Sequence, residues 1–356
     1  MRDMRLIVVF LGILVFLALG FVLHLLKGIL LPFAVAVFLA QIFIPLVAAL
    51  RRRRVPAAVA ILLILVMVSA LLFAFSWVIY SSALSFKESL PRYEARLGGL
   101  VNGAVAWLVE TFPLLREPVE RFKWQEMVEV SAVTGVAAAG LGSFLVFFEE
   151  MFLVLLYLVF LIAGSESFPA KLERAFTHQA DRVAGVLANI EAQVRKYLLT
   201  KTLVNLANGI LVTLLLAAFG VDFAPLWGFI SFLAHYIPQV GALISAALPT
   251  IFLLLQFESV GWALFIAALN IVLQFVIGHV IEPRIMGTSL DLSPVVVLLS
   301  LIFWGWLWGA WGMILAVPIT STLKIVCENI DTLHPLSVLM SGSEAGAKDG
   351  AVQKAA

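Results

Sequence analysis

The sequence predicts an all-α polytopic membrane protein with about eight membrane segments, two of them re-entrant hairpins in an inverted C-terminal repeat. Three observations carry that reading. The 356 residues are 63% hydrophobic and only 13% charged, whereas a soluble chain carries about 25% charged residues. Several apolar runs reach the roughly 20 residues an α-helix needs to cross about 30 Å of hydrocarbon, and none alternates like a membrane β-strand. The C-terminal half repeats itself at an offset of 69 residues. Net charge is +1, which leaves no electrostatic footprint for nucleic acid. Cys327 is the single cysteine, so no intramolecular disulfide or multi-cysteine zinc site is possible.

Residues 1–80 read as three N-terminal spans forming a scaffold: Leu6 to Leu26, Ile29 to Leu50 and Pro56 to Tyr80. The first resembles a signal peptide, but it is too long and lacks a small-residue cleavage site, so it reads as a retained span. Residues 81–142 set Lys87, Arg92, Arg96, Arg116, Arg121 and Lys123 against seven glutamates, which predicts short amphipathic helices outside the cytoplasm. Residues 143–163 form a fourth span. In residues 164–201, Val183, Val186, Leu187 and Ile190 recur at helical spacing among basic residues, as in a cytoplasmic linker helix. Residues 202–258 and 259–330 are the two repeats, and 331–356 is a cytoplasmic tail whose Gly, Ala, Ser and Lys content predicts partial disorder. Orientation follows from Arg51 to Arg54: basic loops stay cytoplasmic, which puts both termini inside.

The repeat aligns Asp222-Phe-Ala-Pro225 with Asp291-Leu-Ser-Pro294, Pro249 with Pro318, and Gly209 with Gly278. Each copy is an ordinary span followed by about 32 apolar residues, which as one straight helix would run roughly 48 Å, too long for one crossing and too short for two. A hairpin of two half-helices fits that length. The first would turn near Tyr236 to Gly241, where Pro238 removes a backbone donor and Gly241 permits a tight turn. The second would turn within Gly305 to Gly312, with Gly309 between them. One crossing plus one hairpin reverses the entry side of the second copy, so the repeat is inverted. Read instead as kinked single spans, the segments give a parallel repeat. Exposed backbone at membrane depth is tolerated only where protein buries it or it lines a polar cavity, so the breaks point to a binding site.

Few polar groups lie in these spans, and such groups face an interior or a water-filled path by default. Asn205 and Asn208 lie one turn apart in the first repeat's span; Asn270 and Gln274 are four apart in the second. Their amides can coordinate a solute's hydroxyls or a dehydrated cation, or they can simply hydrogen-bond between helices. Gln239, between Pro238 and Gly241, is placed to present its amide to a ligand. His235 and His279 are candidate proton-coupling groups, because an imidazole titrates near neutral pH, or else packing residues. Glu282 and Arg284 flank a proline and form either a gate or a membrane boundary. Asp222 and Asp291 read as helix N-caps, with ion binding as the alternative. Trp304, Trp306, Trp308 and Trp311 read as packing around the second break.

Tyr236-Ile-Pro-Gln-Val-Gly241, Glu282-Pro-Arg-Ile-Met-Gly287, Leu292-Ser-Pro-Val-Val-Val-Leu298, Leu301-Ile-Phe-Trp-Gly-Trp306 and Gly312-Met-Ile-Leu-Ala-Val-Pro318 resemble the AI-2E family of bacterial inner-membrane transporters, closest to its autoinducer-2 exporter branch. The resemblance covers nearly the whole layout, with specific motifs after about Lys196. It implies export of a small polar molecule across a bacterial inner membrane, with autoinducer-2 the solute for some members and sodium or lithium/proton antiport for others. The sequence departs from the commoner pattern at His279 and at Asp291, where a glycine is usual.

An intramembrane enzyme is the competing class, and the chain has no His-Glu-x-x-His, Gly-x-Gly-Asp or phosphate-loop motif. No cofactor or metal is expected. The expected partners are a small polar solute, protons or sodium, the lipid bilayer and further copies of the chain in a homo-oligomer. A non-transporting scaffold or sensor stands as a third class, though it has no need of two broken repeats.

Overall fold

The computed structural model describes residues 2–112, 150–165, 167–175, 180–286 and 291–342. Its elements are α1 (Arg2–Leu25), α2 (Lys27–Arg52), α3 (Ala57–Thr111), α4 (Glu150–Gly164), α5 (Phe168–Ala175), α6 (Ala180–Ala218), α7 (Ala224–Ala234), α8 (Val240–Gln256), α9 (Val260–Phe275), a π-helical stretch Val276–Ile281, α10 (Glu282–Met286), α11 (Pro294–Glu328) and α12 (His334–Met340). Among the described residues no strand forms, beyond one isolated bridge between Leu292 and Ser341. Among the described residues five helices are long and apolar enough to cross a membrane: α2, α3, α6, Val260–Ile285 and α11. Phe21, Phe73, Phe160, Leu203, Leu243 and Val295 stand exposed. Apolar surface on that scale is unstable in water and suits lipid.

Two helices run farther than the residue pattern suggests. The third span does not give way to short amphipathic helices at Ser81; α3 continues through Pro91 to Thr111, 55 residues or about 80 Å. Ala83, Leu84, Lys87, Glu88, Leu90, Arg92 and Glu94 favour helix after Tyr80, and the helix carries Pro91 inside it. Likewise α6 joins the linker helix and the fifth apolar run into one 39-residue rod. Residues 113–149, which hold the rest of the polar region and the start of the fourth span, lie outside the described residues.

The chain divides into two compact units. One gathers Met1–Met67, Glu149–Thr202 and Ile285–Ala356. In its core Val194, Tyr197 and Leu198 of α6 meet Val317 of α11, with Phe38 and Ile42 of α2 packed on them. The other holds Val68–Phe148 and Leu203–Arg284. There Val212 and Leu216 of α6, Phe252 and Leu253 of α8, and Ala263, Ile266 and Ala267 of α9 form the core, joined by Tyr93 of α3.

Both long apolar segments are broken near the middle. In the first, α7 ends at Ala234 and α8 begins at Val240, with Gln239 between them at φ 66°. In the second, Gly309 (φ 66°, ψ −145°) interrupts α11. The chain folds back there: Ser300 Oγ donates to the Ala316 carbonyl at 3.0 Å and lies 2.5 Å from Thr320 Oγ1, twenty residues on. Close approach of the arms falls on glycine in both cases. A Cβ at Gly241 would overlap the Ala234 carbonyl, and one at Gly312 would overlap that of Trp304. Gly209 likewise faces the Gly228 carbonyl, while its sequence mate Gly278 faces open space.

Gly312→Ala and Gly241→Ala should each destabilise the protein by about 1–3 kcal/mol, the cost of overpacking, although alanine favours helix. Gly278→Ala should be close to neutral. Thermal unfolding in detergent measures the difference; equal melting of all three variants would show that the arms do not meet as described.

Candidate functional site

α6 carries Lys201, Asn205 and Asn208 along one stripe at i, i+4 and i+7, and all three are buried, the asparagines completely. From Asn208 a polar network crosses four helices inside the second unit. Asn208 Nδ2 lies 3.0 Å from His235 Nδ1, at the end of α7. Ser245 Oγ of α8 is 3.3 Å from the same nitrogen. The Ser245 carbonyl accepts from Asn270 Nδ2 of α9 at 3.0 Å, and Gln274 Nε2 donates to Asn270 Oδ1 at 3.3 Å. Ser231, Ser245, Asn208 and Asn270 are fully buried in an otherwise hydrocarbon bundle. Within this network Asn208 Oδ1, Gln274 Oε1 and Ser231 Oγ have no protein partner among the described residues. Buried acceptors left open cost about 1–3 kcal/mol each, so an occupant that donates hydrogen bonds or carries positive charge is favoured there.

The expected site residues separate into two sets. Asn205, Asn208, His235, Asn270 and Gln274 are buried together in the helices just described, and Gly241 is buried beside the first break. Gln239 is exposed, its backbone opening α8 without a side-chain cap, and Pro238 is half-buried in the break. His279 is exposed too and stacks on Phe275 at 4.7 Å within the π-helical stretch. Glu282 is half-buried and Arg284 exposed at the start of α10. In α11, Gly309 makes the break, Gly312 the close approach, and a Cβ at Gly305 would press on Met313 Cγ at 2.8 Å. The groove between α6 and α9 lined by Leu211, Leu214, Val272 and Val276 is hydrocarbon and holds none of these polar groups.

Asp222 and Asp291 do not cap helices. Phe223 and Ser293 occupy the N-cap positions, without side-chain capping bonds, and each aspartate closes the base of its hairpin instead. The Asp222 amide donates to Gln256 Oε1 at 2.8 Å, and Gln256 Nε2 returns to the Gly220 carbonyl. Asp291 Oδ2 and its carbonyl both accept from Lys324 Nζ at 2.9 Å, and Glu328 lies 3.2 Å from the same ammonium. A lone lysine late in an apolar run was the visible signal for the second clasp. For Ser231 the signal was its register with Ser300 at the 69-residue offset.

Beyond its apolar stretch, α3 holds the first clasp from the side. Tyr93 Oη donates to Asp222 Oδ2 at 2.7 Å, and Arg92 and Arg96 donate to the Gln256 and Glu258 carbonyls. Burial, and then the Asp222 carboxylate, push the Tyr93 phenol well above its ordinary value near 10. The unfolded chain ionises this phenol at about pH 10 while the folded chain keeps the proton, so its contribution to stability is complete below that pH and falls above it. At about pH 11, one unit above the ordinary tyrosine value, native wild type and Tyr93→Phe should show equal tyrosinate absorbance. On unfolding, the wild type should gain one tyrosinate more. A native difference of one tyrosinate would refute the buried bond.

A family model described as AI-2E family transporter matches residues 11–332. Among curated relatives, a provisionally named transport protein of Haemophilus influenzae is 33% identical over 322 residues, 89% of this chain and 91% of that one. The AI-2 transport protein TqsA of Escherichia coli strain K12 is 33% identical over 342 residues, 94% of this chain and 95% of that one. YhhT of the same strain, also provisionally named for transport, is 33% identical over 320 residues, 89% of each chain.

Proposed function

The chain belongs to the AI-2E family of transporters, and on that premise we propose that it is a secondary transporter exporting a small polar molecule, such as autoinducer-2, by alternating access. One observation carries the reading: a polar network buried across α6, α7, α8 and α9 that keeps the oxygens of Asn208 and Gln274 open in a hydrocarbon bundle. A scaffold or sensor has no use for open buried acceptors, whereas a hydroxylated solute supplies the missing donors. The protein works in a bacterial inner membrane with both termini cytoplasmic, as a homo-oligomer. The two broken segments act as inverted re-entrant hairpins that move, with their preceding spans, against the N-terminal spans. Asn205, Asn208, Asn270 and Gln274 hold the solute, with Pro238, Gln239 and Gly241 at the first break; Glu282 and Arg284 gate it, and His279 stands with His235 as a proton-coupling group.

The same open amide oxygens favour a second reading, sodium or lithium/proton antiport, because side-chain carbonyls also replace a cation's water. Proteoliposomes loaded with isotopically labelled autoinducer-2, with proton and sodium gradients imposed separately, test both. Gradient-driven solute efflux is expected, reduced at least about tenfold by Asn208→Leu, in line with the loss of one or two buried hydrogen bonds. Sodium flux without solute flux would select the antiport. If neither crosses while the protein stays monodisperse, the transport reading fails.

A further inference from the structure

We propose that His235 is the proton-binding group of this site, and that its proton decides whether Asn208 offers the bound solute an acceptor or a donor. The solute-coupling step rests on the transport reading above; the switch itself does not.

The argument starts at one atom. Within hydrogen-bond reach of His235 Nδ1 lie Asn208 Nδ2 at 3.0 Å, the Ser231 carbonyl at 3.2 Å and Ser245 Oγ at 3.3 Å. An amide nitrogen can only donate, a carbonyl can only accept, and a hydroxyl can do either. A ring nitrogen either carries a proton or offers a lone pair, so it cannot satisfy the first two at once. The site therefore has two self-consistent arrangements. With Nδ1 bare, Asn208 Nδ2 and Ser245 Oγ donate to it, and Asn208 Oδ1 is left open, as it stands in the structure. With Nδ1 protonated, it donates to the Ser231 carbonyl, and Asn208 Nδ2 is pushed away. Turning the Asn208 amide by half a rotation about its last bond removes the conflict at almost no cost in volume. Oδ1 then accepts from Nδ1, and Nδ2 takes the open position. The Ser245 hydroxyl follows by turning its own hydrogen away.

Hence the open position next to Asn208 is an acceptor when Nδ1 is bare and a donor when it is protonated. A solute presenting hydroxyl hydrogens binds the first form and loses that hydrogen bond in the second, so proton uptake from one side releases a solute bound from the other. The helices that carry the network bring few titratable groups to it. Helices α7, α8 and α9 contain no titratable side chain, α3 has none between Ala57 and Ile79, and on α6 the nearest in sequence is Lys201, seven residues before Asn208. Tyr236 adjoins His235 in the break.

The test reads the ring directly. Full-length protein in lipid nanodiscs, with 15N-labelled histidine, contains five histidines, and His235→Gln identifies the resonances of His235 by their loss. In wild type at about pH 8, above the ordinary imidazole value, Nδ1 should resonate as a bare acceptor and Nε2 as the protonated nitrogen. Acidification should protonate Nδ1 and shift the Asn208 side-chain amide in the same transition. Asn208→Leu removes the donor, so the neutral ring should change to the tautomer with the proton on Nδ1. A ring protonated on Nδ1 at pH 8 in wild type, or a tautomer that Asn208→Leu leaves unchanged, overturns the switch. In proteoliposomes, efflux of labelled autoinducer-2 should change about fivefold to tenfold between pH 8 and pH 6 on the releasing side, the worth of one hydrogen bond, and His235→Gln should abolish that dependence. Efflux with a fixed ring leaves the transport reading standing and the switch refuted; a switching ring with no efflux of any solute does the reverse.

Discussion

Inside hydrocarbon a backbone amide or carbonyl released from a helix has no water to turn to, and each one left open costs several kilocalories per mole. Two breaks in long apolar segments therefore set the terms for everything packed around them. At the second break the carbonyl of Leu307, freed two residues before Gly309, accepts from His24 Nδ1 of α1 at 3.1 Å. Trp308 Nε1 reaches the Leu23 carbonyl at 3.4 Å, and the indole of Trp306 stacks on His24. The end of the first helix is thus a cap for a hairpin almost three hundred residues later. At the base of each hairpin an aspartate is tied to a polar side chain at the far end of the second arm, Gln256 in one copy and Lys324 in the other. A hairpin closed at its base and matched at its glycine contact can bear a break without water.

How much of this a reader of the sequence can see depends on whether the cause is local. Gly309 falls midway between Gly305 and Gly312, and the first break falls beside Pro238, because proline and glycine act through their own backbone. Burial of Asn205, Asn208, Asn270 and Gln274 was legible for the same reason: an amide in an apolar helix has to face inward. Continuity was not legible, since α3 carries Pro91 inside the helix, where a proline ordinarily ends one, and α6 runs unbroken from charged into apolar composition. Nor was the fate of Asp222 and Asp291. Both precede a proline as an N-cap would, but their partners, Tyr93, Gln256 and Lys324, lie 33 or more residues away in sequence. The exposure of Gln239 was not legible for a related reason, because the left-handed backbone that makes the turn carries its side chain outward.

The 69-residue offset also sets the chemistry of the two broken segments side by side. Asn205 pairs with Gln274, Lys201 with Asn270, and Ser231 with Ser300, so polar positions recur in both spans and both first arms. Asn208, however, pairs with Ile277, His235 with Trp304, and Ser245 with Ile314. Every residue that meets at His235 Nδ1 through its side chain has an apolar counterpart in the second copy. There the hydroxyls of Ser300 and Thr320 satisfy each other and the Ala316 carbonyl, which serves to hold two arms together. In the first segment an imidazole faces a buried amide. Hydrogen bonds satisfy the imidazole within the bundle, and on the transport reading proposed above the open oxygen of Asn208 is what assigns solute binding to the first hairpin.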